Sequence, residues 1–346
     1  LTLPDGTVER YSAAGTILSY RHLSGLTHTV ANAASNHVTI TDSFGHVLTL
    51  DFDATSKRLT KLTDPSGGVC TYAYDANNNL KSVTYPDGKV RTYLYENATF
   101  KNALTGIVDE SGSRFATYAY DSQGRATLSQ HAAGADKYTI SYMIDSGGNP
   151  VSSVVTDPLG TARTYNFQVV LGVVKNTGLT EPCASCGSTA SAQTYDANGN
   201  VASRTDFNGV KIIYTYDLAR NLEVSRTEAA GTAQARTITT QWHPTYRLPV
   251  QIAEPGRTAT YTYDANGNQL SKTVTDTASG AARTWSWTYN QYGQVLTATD
   301  PRGNVTTHTY DAQGNLASTT NPLGHTTRYT SYDAHGRPLS IADPNG

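Results

Sequence analysis

The feature that most constrains this chain is a period. Asp, Asn or Glu directly follows Tyr at Asp75, Glu96, Asp121, Asn166, Asp196, Asp217, Asp264, Asn290, Asp311 and Asp333, and an Ile-Asp pair at Asp145 fills the gap between Asp121 and Asn166. Positions 75 and 96, 145 and 166, 196 and 217, and 290 and 311 lie 21 residues apart. A period of this length marks a repeat architecture, in which a unit buries its apolar face only against its neighbours. Longer steps place insertions near residues 97–106, 172–190, 227–250 and 275–281, which are expected to be loops. Residues 1–346 therefore read as a single array, and as a piece of a longer protein, because the chain starts and stops beside turns.

Each period reads as two strands and two turns. Tyr72 and Tyr74, Tyr93 and Tyr95, Tyr118 and Tyr120, Tyr214 and Tyr216, and Tyr261 and Tyr263 are spaced by two, which puts both rings of a pair on one face of a strand. Next comes a turn such as "DANGN" at 196–200 and 264–268 or "DAQGN" at 311–315. Its Asp bonds its own backbone and its Gly adopts positive φ, so Asp75, Asp121, Asp196, Gly199, Asp264, Gly267, Asp311 and Gly314 are the structural turn residues. A short strand follows, as in "LKSVT" at 80–84 or "LASTT" at 316–320, and then a second turn of the form "DPLG" at 157–160 or "NPLG" at 321–324. The fold class that follows is all-β, built of antiparallel hairpins. So many strands in one sheet must coil, with a polar-lined spiral favoured over a filled rod.

Composition narrows the function. Charged residues are 16% of the chain and the net charge is -2, which leaves no basic field for nucleic acid. No run of 18 apolar residues is present, so no membrane insertion is expected of this segment, and no targeting signal opens it. Twenty-three Tyr stand against 6 Phe, so the interior must offer partners to hydroxyls.

Few residues suggest chemistry. Cys183 and Cys186, two residues apart in the insertion "GLTEPCASCGSTAS", could hold half of a zinc site or form a disulfide, but no His or Cys nearby completes a metal set. Asp196, Asn198 and Asn200 alternate like calcium ligands, yet the loop ends in a strand without the closing Glu. His22, His28, His37 and His46 crowd the N-terminal region with no recognisable triad. Neither catalysis nor a cofactor is expected. Trp242, Trp285 and Trp287 lie in or beside insertions and are the candidate surface for a glycan or protein partner.

The stretch Tyr310-Asp311-Ala312-Gln313-Gly314-Asn315-Leu316, with the "DPxG" turns, resembles the YD repeats of bacterial RHS proteins, teneurins and insecticidal toxin-complex C components. The resemblance covers nearly the whole chain. It implies repeats that spiral into a hollow shell, a toxin or effector from the same polypeptide as the enclosed partner, a secreted or cell-surface location, and no catalytic role for the repeats. Cargo-releasing members carry an "RYYDP"-like segment and a self-cleaving aspartate region. Neither stands at the end of this sequence, which reads "SYDAHGRPLSIADPNG" and is expected to be wall without cargo.

Overall fold

The computed structural model describes residues 1–34, 36–180 and 191–345. Among these, apart from one short 3-10 turn at Ala132–Gly134, the regular structure is thirty antiparallel strands. They run in chain order through two open sheets, sixteen strands from β1 (Val8–Tyr11) to β16 (Val173–Thr180) and fourteen from β17 (Ala192–Tyr195) to β30 (Pro338–Ala342). Within each sheet every strand pairs with the next, and most partners are delivered by a tight turn.

Two compact units are present. Unit 1 comprises Leu1–Thr71 and Thr239–Gly346, and unit 2 comprises Tyr72–Ile238. Burial in both is thin. Val30, Val83, Ala116, Leu222 and Ile238 are the buried apolar residues, and no large side chain is fully buried among the described residues. Hairpins of this kind are held by ladders, turns and cross-strand pairs more than by a packed interior. Thr and Ser hydroxyls supply part of that pairing, as between Thr262 and Ser271 at 2.6 Å, Thr288 and Thr297 at 2.6 Å, and Thr309 and Ser318 at 2.7 Å.

A bulge recurs at the Tyr-Asp hairpins. Tyr310 faces Leu316 while Thr309 faces Ser318, so Ala317 is extra, and Tyr289, Tyr263, Tyr195 and Tyr120 repeat the pattern. Such an insertion sharpens local twist and bends the strand.

The period breaks at Asn166. Tyr165-Asn166 lies inside the strand Ala162–Val170, and the chain turns instead at Leu171 and Gly172, with φ of 51° and 75°. Asn166 is followed by Phe-Gln-Val-Val, strand-forming residues without a glycine, so pairing runs on past the expected turn. Asp217 likewise ends the strand Lys211–Asp217, and Asn221, at φ 50°, takes the left-handed place in its wider turn.

Candidate functional site

The turns are assembled from their own side chains. At Asp311, the Gly314 N–H donates to the Asp311 carbonyl at 3.1 Å, and the Asp311 N–H donates to the Asn315 carbonyl at 2.9 Å. Oδ1 of Asp311 accepts the N–H groups of Gln313 and Asn315 at 3.0 and 2.8 Å, and Oδ2 accepts the Asn315 amide at 3.0 Å. Asp75, Asp121, Asp196 and Asp264 accept the corresponding pairs of backbone N–H groups. Gly199, Gly267 and Gly314 stand at φ of 77°, 72° and 78°, and Asn78 occupies the same place at 66°. This is a three-residue hairpin loop closed by a left-handed residue. The Pro-containing turns share it: Leu159 and Thr161 N–H groups both reach Asp157 Oδ1 at 2.9 Å.

These donors set the charge of the turns. Asp75 is held below the ordinary carboxylate value, first by the Asn79 side chain, and Asp64 is lowered to about 2, first by the Ser66 hydroxyl and then by the Gly68 N–H. Both Asp196 oxygens meet N–H donors of their own turn, and the Asn198 amide donates to the Leu218 carbonyl and to Asn221 Oδ1, both at 2.9 Å. Asp196, Asn198 and Asn200 are thus used in turn closure and turn-to-turn contact.

Several tyrosines, most of them directly before the Asp or Asn of a turn and Tyr142 three residues before Asp145, have a second task. Tyr310 donates its hydroxyl to the Val295 carbonyl at 2.9 Å, Tyr289 to Gln269 at 2.8 Å, Tyr263 to Pro249 at 2.8 Å and Tyr142 to Ala126 at 2.8 Å, and Tyr332 reaches Leu316. In these cases the acceptor belongs to the preceding hairpin and faces that hairpin's own ring: Val295 faces Tyr289, Gln269 faces Tyr263, Leu316 faces Tyr310, Pro249 faces Trp242 and Ala126 faces Tyr120. It also lies two residues beyond the end of the ladder to the next strand, which for Val295 begins at Thr297↔Thr307 and for Gln269 at Ser271↔Ser286. The hydroxyl closes the fork where two hairpins diverge, supplying a donor to a carbonyl the ladder has left behind. Phe could fill the space but not the bond, which is why Tyr stands at these positions. Burial pushes the hydroxyl pKa of Tyr263, Tyr289 and Tyr310 up.

Within unit 1, turns from the two ends of the chain meet. Leu23 and Leu248 lie over Gly267, and Phe44 lies over Gly314 with its ring 4.8 Å from that of Tyr292. At Gly25, φ +103°, a Cβ would fall on the Gln291 carbonyl oxygen, so only glycine fits. Ser66 Oγ lies 2.9 Å from Nε2 of His335, 269 residues away, and Asp64 Oδ2 lies 3.4 Å from the same nitrogen. Ser, His and Asp meet here without forming a triad. Asp64 and Ser66 share one imidazole nitrogen, and Ser66 bonds Asp64 directly at 2.6 Å, whereas a triad needs the carboxylate on the far nitrogen. An open cleft of about 570 Å³, lined by Phe44, His46, Pro65 and His335 among others, lies along this seam.

The repeats match a known family. The RHS Repeat model fits residues 55–90, 74–99, 195–233, 289–326 and 310–346. These stretches carry RHS repeats. The chain's fold is that of the Photorhabdus luminescens Tc holotoxin pore structure, matched over 97% of this chain and 21% of that one at TM-score 0.56 and 14% identity. Crystal structures of TcdB2-TccC3-TEV and TcdB2-TccC3-Cdc42 match over 98% and 99% of this chain and 22% and 18% of theirs, at TM-scores of 0.57 and 0.53 and 14% identity. The chain spans about a fifth of the length of these structures. Among curated proteins, no sequence matches it.

The remaining candidates are scattered. Cys183 and Cys186, with most of the 172–190 insertion, lie outside the described residues. Trp242 faces Pro249 and so occupies a Tyr position, while Trp285 and Trp287 alternate with Tyr289 along Ala282–Tyr289; all three are half-buried. His37 and His46 pair with Asp51 at 2.6 Å and Asp42 at 2.8 Å. His28 stacks on Tyr20 at 4.5 Å, and burial, followed by the charge of His22, lowers its pKa. Among the described residues no three His, Cys, Asp or Glu side chains gather to hold a metal. Sequence reasoning missed the clamp acceptors and the seam. The excess of Tyr over Phe was the available signal for the first, and the second left none.

Proposed function

We propose that this chain is a stretch of wall in an RHS-type shell that encloses or scaffolds a toxin or effector carried by the same, longer bacterial protein, secreted or displayed at the cell surface. The tyrosine clamp carries the reading, because it fastens hairpin to hairpin without a filled interior and can be repeated without limit. The shared fold with the Tc structures, the thin burial and the return of the chain onto its own first turns within unit 1 support it. The half-buried state of Trp285 and Trp287 gives no comparable support to a glycan-binding surface.

The test is an electron cryomicroscopy reconstruction of the intact parent protein. Polypeptide density enclosed by the repeats is expected. A solid rod, or an empty coil with the rest of the protein outside it, would overturn the proposal.

A further inference from the structure

Three Asn-Gly pairs lie within the described residues, Asn198-Gly199, Asn208-Gly209 and Asn266-Gly267, each closing an Asp-x-Asn-Gly turn. The pair has a chemistry of its own. A backbone nitrogen whose residue carries no Cβ can approach the side-chain carbonyl of the asparagine before it, so Asn followed by Gly is where the side-chain amide is most readily lost. In this respect the three sequences are equal. Their backbones are equal too: Gly199, Gly209 and Gly267 stand at φ of 77°, 79° and 72°, and each donates its N–H to the Asp carbonyl three residues back, at 3.1, 3.0 and 3.0 Å.

What differs is the hold on the side chain and the cover over the turn. Asn198 Nδ2 donates to the Leu218 carbonyl and to Asn221 Oδ1, both at 2.9 Å, and Val170, Leu171 and Lys175 come within 4 Å of where a Gly199 Cβ would stand. Over Gly267 that place is taken by Leu23 and Leu248. Asn208 has neither brace nor cover. Its exposed amide makes no hydrogen bond among the described residues, and nothing stands within 4 Å of a Cβ built on Gly209. Only its backbone is held, through the N–H groups of Asn208 and Val210 that reach Asp206 Oδ1 at 2.9 Å each.

We infer that Asn208 is a site of self-modification, losing its side-chain amide well before Asn198, which the bonds to the neighbouring turn protect, and before Asn266. The Gly209 nitrogen gives its proton to a base in the solvent and attacks Cγ of Asn208. The new C–N bond closes a five-membered imide while the Cγ–Nδ2 bond breaks and ammonia leaves. Water then opens the ring at either carbonyl, giving aspartate or isoaspartate. Both products add a negative charge beside Asp206. Isoaspartate also lengthens the main chain by one atom inside the tight loop that joins Val201–Thr205 to Lys211–Asp217. At Asn198 the same attack must first draw Nδ2 away from two acceptors. The inference concerns single turns and is independent of any enclosed cargo.

Ageing the intact parent protein at mildly alkaline pH, followed by digestion and mass spectrometry, tests it. Conversion at Asn208 is expected to run about tenfold or more ahead of Asn198, the scale set by two hydrogen bonds that must be given up. In denaturant the three rates should draw together. Asn221→Gly removes an acceptor while suiting the left-handed backbone at φ 50°, and should speed Asn198 severalfold. Its Asn208 rate should stay at the wild-type value, which reports in the same digest that the hairpins remain folded. Equal rates in the folded protein, a lead taken by Asn198 or Asn266, a spread that survives denaturation, or an Asn198 rate unmoved by Asn221→Gly would overturn the inference.

Discussion

Two rows of turns in unit 1 share one local design and differ in what stands over them. The row around Gly25, Gly267 and Gly314 is covered by other turns, whereas Gly303 and Gly324 have nothing within 4 Å of a built Cβ. The backbone hydrogen bonds that close the turns are the same in both rows. Local chemistry therefore forms the turn, and coverage adds a second, steric demand on its glycine.

The comparison predicts an order of damage. Gly25→Ala should cost most, about 2–4 kcal/mol, because positive φ adds to a clash with a carbonyl oxygen that cannot move aside cheaply. Gly314→Val should fall close behind, because the Phe44 ring lies 2.8 Å from the new Cβ, although a side chain can yield. Gly303→Val and Gly199→Val should lose only the conformational share, about 1 kcal/mol. Thermal denaturation of the four variants checks the ranking; equal losses at Gly25 and Gly303 would show that coverage adds nothing. Tyr310→Phe leaves the Val295 carbonyl without its donor and should cost about 1 kcal/mol, measured by the same melts.

Acid should loosen turns of this design. Asp64 titrates near 2 in the folded chain against an ordinary 3.8, and Asp75, Asp157 and Asp300 are also lowered. A depressed folded pKa means stability fully present above the unfolded value and lost as pH falls through the folded one. Melting temperature should therefore hold down to about pH 4 and decline toward pH 2. The smallest effect is expected from Asn78→Gly, within about 0.5 kcal/mol, since Asn already tolerates φ of 66° there.

What could be read from the sequence follows the reach of each interaction. The all-β hairpin fold was legible because an Asp-x-x-Gly turn is decided within five residues and alternating Tyr marks the strands beside it. Asn166 shows where that reading ends: Tyr165-Asn166 has the sign of a turn, but the four residues after it pair better than they bend. Tyr310 announces a need for a hydroxyl partner without naming Val295. Phe44 and Gly314 are 270 positions apart, and nothing in "DSFGH" or "DAQGN" specifies the other.

The clamp also sets how such an array fails. A hairpin inside the row donates one hydroxyl bond backward and accepts one from the hairpin after it, as Tyr310 bonds Val295 while Leu316 receives Tyr332. Losing an internal hairpin breaks two fastenings, and losing a terminal one breaks a single fastening. Under mechanical load the array should peel from its ends one hairpin at a time, with its interior the last part to give way.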